Sequence, residues 1–159
     1  MALISTERTN LKATDIIGGC LCGSVRYTCD AESLGQEICH CKDCQKQAGT
    51  AFAMIIDVPR EALQLSGRPL KSYTNKGDSG GKVIRKFCDQ CGSSVLCEVE
   101  THPDLIFINA GTLDNANSFE PEEEIWTNLN LRLRTSLEIY KVTLGTHRDN
   151  KKTEKDLRC

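Results

Sequence analysis

Seven of the ten cysteines in this 159-residue chain fall into three tight groups, and no other feature limits the fold as strongly. The groups are Cys20-Leu21-Cys22, Cys39-His40-Cys41-Lys42-Asp43-Cys44 and Cys88-Asp89-Gln90-Cys91, while Cys29, Cys97 and Cys159 stand alone. Neighbouring thiolates at these spacings can reach one metal ion with Zn–S bonds of about 2.3 Å, whereas a disulfide between them strains the short loop. In a reducing compartment such clusters serve metals.

Length and composition then bound the class. A chain of 159 residues supports one ordinary core, and its 39% apolar and 26% charged residues are those of a soluble domain. No stretch reaches the roughly 20 apolar residues of a membrane span, and residues 1–15 lack the apolar centre of a secretory signal, so a cytoplasmic protein is expected. A net charge of -2 with scattered bases gives no pull toward nucleic acid. The expected organisation is an N-terminal extension over 1–15, one zinc-binding domain over 16–146, and a charged, disordered tail over 147–159.

Strand signals dominate. Val25, Tyr27 and Cys29 alternate with Ser24, Arg26 and Thr28, so 24–29 reads as a half-buried strand. Further strands are expected at 51–58, 63–65, 71–73, 82–87, 94–99 and 105–110, separated by turns at Ser66-Gly67, Gly77-Asp78 and Gly80-Gly81. Residues 45–48 suit one helical turn broken by Gly49, and no long amphipathic helix is expected before residue 120. The pattern predicts a mainly β domain of antiparallel sheets.

Seven clustered thiols divide as four plus three. A structural zinc is closed by four ligands, and a catalytic zinc keeps three and leaves one position to water or substrate. The Cys88–Cys91 turn, followed by Gly92, needs a two-cysteine partner, and Cys20 and Cys22, on one side of an extended segment, supply it. Cys39, Cys41 and Cys44 remain as the open set, with His40 pointing away. The rival is a second closed site whose fourth ligand is Cys29, Cys97, His102 or His147. Cys29 and Cys97 otherwise read as small buried hydrophobes, Cys159 as a free exposed thiol, the acidic run 122–124 as a solvated loop, and Trp126 as packing.

Gly18-Gly19-Cys20-Leu21-Cys22-Gly23-Ser24-Val25-Arg26-Tyr27, the stretch Cys39 to Phe52, Phe87-Cys88-Asp89-Gln90-Cys91-Gly92-Ser93 and Gly111-Thr112-Leu113-Asp114 together resemble the glutathione-dependent formaldehyde-activating enzymes and centromere protein V. The resemblance implies a tent-like fold of antiparallel β-sheets, a structural zinc on Cys20, Cys22, Cys88 and Cys91, and a catalytic zinc on Cys39, Cys41 and Cys44. It also implies a carbon-sulfur lyase-type reaction in which glutathione, or a related small thiol, adds to formaldehyde or another small electrophile. Candidate substrate contacts are His40, Lys46, Thr50 and Phe52, with Lys42 and Asp43 as further acid-base candidates. The resemblance departs after Pro121, where Glu124 stands in place of the family's histidine and Thr135 near its tryptophan. That departure, with the basic tail of Lys151, Lys152, Lys155 and Arg158, keeps a non-catalytic zinc-stabilised binding module as the alternative.

Overall fold

Residues 10–131 are described by the computed structural model. Along the chain the strands are β1 (Ile17–Gly19), β2 (Val25–Cys29), β3 (Gly35–Cys39), β4 (Ala53–Pro59), β5 (Leu63–Gly67), β6 (Lys71–Lys76), β7 (Lys82–Phe87), β8 (Ser94–Val99), β9 (His102–Asn109) and β10 (Glu123–Ile125). One α-helix, α1 (Lys42–Ala48), lies between β3 and β4 among the described residues. The small sheet has the order β1-β2-β5, and the large sheet the order β10-β3-β4-β9-β8-β7-β6. The mainly β, antiparallel expectation holds for these sheets with one exception, since β10 pairs with β3 in parallel.

Alternation decides which side chains meet. Val25, Tyr27 and Cys29 of β2 face Ile56 and Val58 of β4, Leu96 of β8, and Ile106 and Ile108 of β9, forming the core between the sheets. Fully burying each large aliphatic side chain there contributes about 1.5–3 kcal/mol. The odd-numbered residues of β4 and β9 point to the opposite face of the large sheet, where Ala53, Ile55, Asp57, Leu105, Phe107 and Asn109 line a cavity. The large sheet therefore builds the core with one face and the candidate site with the other.

Three strands escape a pattern-based reading for physical reasons. In β3, Gly-Gln-Glu-Ile-Cys carries little apolar alternation, because its buried Gln36 is satisfied by hydrogen bonds rather than by packing: the side-chain Oε1 accepts from Glu120 N at 2.9 Å and the backbone oxygen from Glu122 N at 2.8 Å. In β10 the acidic run has a partner strand, so 123–125 is an edge strand rather than a solvated loop. β1 is too short for a periodic signal. Leu11, placed by the sequence in an extension, is buried in the core and hydrogen-bonded through its backbone to Ser33. Residues 132–159, including Thr135, His147, Cys159 and the tail, lie outside the described residues. No described helix is long and apolar enough to cross a membrane.

The junction of the two sheets is tight at Gly18. Its backbone passes under buried Tyr27, whose hydroxyl donates to Thr112 Oγ1 at 2.9 Å while that oxygen donates to the Asn109 carbonyl. A Cβ at Gly18 would collide with the Thr112 carbonyl and the Tyr27 hydroxyl. Gly18→Ala is therefore expected to lower the denaturant midpoint of the protein by the equivalent of about 1–3 kcal/mol, as overpacking does, and more than Tyr27→Phe, which forfeits roughly 1 kcal/mol of hydrogen bonding. Urea titration of both variants measures the order.

Candidate metal centres and the adjoining cavity

Two loops from different sheets bring four thiols together. Cys20 and Cys22 sit in the turn between β1 and β2, Cys88 and Cys91 in the turn between β7 and β8, and all four sulfurs lie within 4.8 Å of one another. Cys20 Sγ is 3.5 Å from Cys22 Sγ, which is 3.9 Å from Cys88 Sγ. Tetrahedral Zn–S bonds of the usual length require sulfurs about 3.8 Å apart, so the set fits such an ion. Surrounding donors favour thiolates. Val25 N donates to Cys20 Sγ at 3.3 Å, Ser24 Oγ lies 3.1 Å from Cys22 Sγ, and Ser93 Oγ lies 3.2 Å from Cys91 Sγ. Ser93, through its hydroxyl and its amide, lowers the Cys91 thiol to about 5. Burial opposes ionisation of Cys20, yet hydrogen bonds from Ser24 and Val25 prevail and bring it down to about 7. Gly92, at φ +75°, closes the second loop with its amide on the Cys88 carbonyl at 2.9 Å.

Three further thiols meet where β3 runs into α1. Cys39 ends the strand, Cys41 caps the helix by accepting from Cys44 N at 3.3 Å, and Cys44 lies in the first turn, with the three sulfurs within 4.8 Å of one another. Hydrogen bonds from Cys39 and Cys44 hold the Cys41 thiol far below its ordinary value. The same sharing, led by Cys41 for Cys39 and by Cys39 for Cys44, pushes their thiols up. Ala53, Ile55, Phe107 and Ile125 pack around this set. Among the described residues no fourth histidine, cysteine or carboxylate joins it. Cys29 is buried in the core with its thiol on the Ala31 carbonyl, Cys97 forms part of the cavity wall, and His102 is exposed beside Thr101.

Cys41 and Cys44 border a cavity of about 690 Å³ on the free face of the large sheet. Its walls are apolar at Ile55, Val83, Val99, Leu105, Phe107 and Ile125, with carboxylates at Glu37 and Asp57 and the buried guanidinium of Arg85. Burial, reinforced by Asp57 and Glu123, raises the Glu37 carboxyl to about 7. Asp57 is raised to about 6 by burial and by Glu123, against a lowering from His102. Polar struts, more than apolar packing, seat α1 on this sheet. Asp43 Oδ2 accepts from Asn75 Nδ2 at 2.6 Å and from Arg85 Nη2 at 3.3 Å, and Gln47 donates to Ser94 Oγ. The buried residue of the helix is Gln45, whose Nε2 donates to the carbonyls of His40 at 2.8 Å and Leu129 at 3.0 Å.

Of the side chains singled out from the sequence, Lys42 and Asp43 border the cavity, and His40, Lys46, Thr50 and Phe52 lie outside its lining. Lys46 and Thr50 are exposed. His40 is buried instead of projecting freely: Nε2 meets Glu124 Oε2 at 2.9 Å, and the ring stands edge-on to Phe52 at 5.7 Å between centroids. Glu124 thus occupies its position as a partner of the histidine between Cys39 and Cys41. Trp126, expected to pack, is 44% exposed, has a left-handed backbone at φ +58°, and borders the cavity. Glu37, Asp57 and Arg85 carry no motif that singles them out, although a lone aspartate inside the apolar run 51–58 is a readable sign of a special environment.

Comparison with known proteins agrees with this geometry. A family model described as glutathione-dependent formaldehyde-activating enzyme matches residues 15–129. Proteins of Aspergillus terreus and Colletotrichum graminicola whose names refer to glutathione-dependent formaldehyde activation are 29% identical over 108 residues and 28% identical over 87 residues. These matches cover 65% and 53% of this chain and 56% and 44% of the relatives, so the chain spans about half the length of the curated relatives it matches. A solved structure from Rhodobacter sphaeroides shares the fold, with a TM-score of 0.53 at 19% identity, covering 68% of this chain and 98% of that one. With the family model covering most of the chain, including both cysteine clusters, the protein belongs to the glutathione-dependent formaldehyde-activating enzyme family.

Proposed function

We propose that this protein is a zinc-dependent carbon-sulfur lyase-type enzyme that joins the thiol of glutathione to formaldehyde or another small electrophile. The observation that carries the proposal is the opening of a three-thiol cluster, without a fourth ligand among the described residues, onto a cavity of about 690 Å³. Pockets of roughly 300–1,000 Å³ suit small ligands. Cys20, Cys22, Cys88 and Cys91 would hold a structural zinc, and Cys39, Cys41 and Cys44 a second one. Three-thiolate zinc with an open position supplies ionisation of an added thiol near neutral pH and polarisation of a carbonyl oxygen.

The addition forms one carbon–sulfur bond and opens the carbonyl π bond, and the thiol proton ends on the former carbonyl oxygen, so nothing is oxidised or reduced. Residues of the chain prepare this step. Ile55, Phe107 and Ile125 pack beside the thiols and exclude water, which strengthens electrostatic interactions there. Lys42, bordering the cavity with Nζ held by Gln45 Oε1 at 3.2 Å and the Leu129 carbonyl at 3.0 Å, favours an anionic thiolate nearby. A reduced, thiol-rich compartment such as the cytoplasm suits both the free cysteines and the thiol partner.

Two outcomes test the assignment. The purified protein is expected to carry two zinc ions, of which a mild chelator removes one first, since three thiolates with an exchangeable ligand hold zinc less tightly than four; simultaneous loss of both in a timed chelator assay would contradict two unlike sites. Cys88→Ala is expected to abolish folding, because structural zinc supplies on the order of 10 kcal/mol to small zinc domains, whereas Cys41→Ala keeps the β-sheet signal and one zinc. Exchange spectroscopy of formaldehyde, glutathione and their adduct should then show acceleration by wild type and background rates with Cys41→Ala; equal rates would remove the three-cysteine set from the chemistry.

A further inference from the structure

The sheet register sets opposite charges at the two ends of one row across the cavity floor. Asp57 of β4 pairs with Phe107 of β9, Phe107 with Cys97 of β8, and Cys97 with Arg85 of β7. All four line the cavity. Three interstrand spacings separate the strands of Asp57 and Arg85, or about 14 Å. Between them the floor is the Phe107 ring and the Cys97 thiol, which burial pushes up to about 12 and so keeps neutral.

Each end has unused hydrogen-bonding capacity. Asp57 Oδ1 is buried without a hydrogen-bond partner among the described residues. Arg85, its side chain 10% exposed, bonds through Nη1 to Asn75 and through Nη2 to Asp43. A guanidinium carries five N–H donors, so donors remain for a carboxylate. Buried charges are tolerated only when paired, and an orphaned carboxylate oxygen in a cavity wall suits a cationic group arriving with a ligand. Glu37, whose neighbour in the register is Ile55, also lines the cavity and adds negative charge near Asp57 once pH exceeds about 7.

From this row, and resting on the thiol addition proposed above, we infer that Asp57 and Arg85 determine specificity for a zwitterionic, peptide-like thiol. Its ammonium sits at Asp57, its carboxylate at Arg85, and its sulfur lies between them toward Cys41 and Cys44. Glutathione carries the γ-glutamyl ammonium, beside an α-carboxylate on the same carbon, at one end, the glycyl carboxylate at the other and the thiol in the middle. Arg85 has a second task, since through Asp43 it also steadies the first turn of α1, where Cys41 and Cys44 sit.

The test titrates the zinc-loaded full chain calorimetrically with glutathione, N-acetylglutathione and the glycyl ethyl ester of glutathione. Each modification removes one end charge, and each is expected to weaken binding to wild type about tenfold or more. Asp57→Asn should bring the N-acetyl penalty to within about twofold while keeping the ester penalty, and Arg85→Met should do the reverse. Because Arg85 also holds Asp43, Asp43→Asn serves as a control that loosens the first turn of α1 yet retains the ester penalty, and zinc content is measured for every variant. Equal binding of all three ligands to wild type, or penalties unchanged in the variants, would overturn the inference. Should no form of glutathione bind, glutathione is excluded as the thiol, and triglycine followed by chemical-shift titration decides the row separately. Triglycine binding that weakens on N-acetylation, and loses that dependence in Asp57→Asn, upholds the charged row for another zwitterion; no binding, or no dependence, overturns it.

Discussion

The meeting of Cys20 and Cys22 with Cys88 and Cys91 is the constraint on which the other parts of the structure depend. It joins the turn after β1, in the small sheet, to the turn after β7, in the large one. A domain of this size buries only a moderate fraction of its surface, so a metal ion held by these four thiols would fix the spacing of its two layers where packing alone leaves freedom. The serine hydroxyls and amides around these sulfurs, and the buried Tyr27 packed on Gly18 nearby, are organised by that junction.

With one face of the large sheet committed to the core, its other face is free to build a cavity. Apolar residues at Ile55, Leu105 and Phe107 dry it, and α1 forms part of its wall with Cys41 and Cys44. Asp43 accepts from Asn75 of β6 and Arg85 of β7, Gln47 donates to Ser94 of β8, and Gln45 donates to the His40 and Leu129 carbonyls, so the helix's position depends on those partners. Directional bonds of this kind define the orientation of a short helix better than a few apolar contacts, and loss of any partner leaves a polar group to be desolvated without compensation.

The three cysteine groups are legible from spacing, because ligands on one tight turn lie close in sequence, and the joining of the first group to the third is legible from the count of four ligands and three. The alternating segment 24–29 is legible for the same local reason, and burial follows the alternation along Val25–Cys29. Elements without such a signature depend on tertiary partners. β3 keeps Gln36 buried through bonds to 120 and 122, and β10 exists because β3 offers an edge. His40 reads as a spacer within its own segment, and its acceptor, Glu124, lies far along the chain. The pairing of Asp57 with Phe107, Cys97 and Arg85 across four strands has no signature in any single segment, since register is a property of the assembled sheet.

The two thiol clusters would hold metals of unlike coordination, one closed by four sulfurs and one open to the cavity. X-ray absorption at the zinc edge measures that difference directly in the untreated protein. The expected spectrum has an average sulfur coordination between three and four per zinc, together with a shell of oxygen or nitrogen that is replaced by sulfur when glutathione is added. A first shell of four sulfurs around every zinc, unchanged by glutathione, would contradict it.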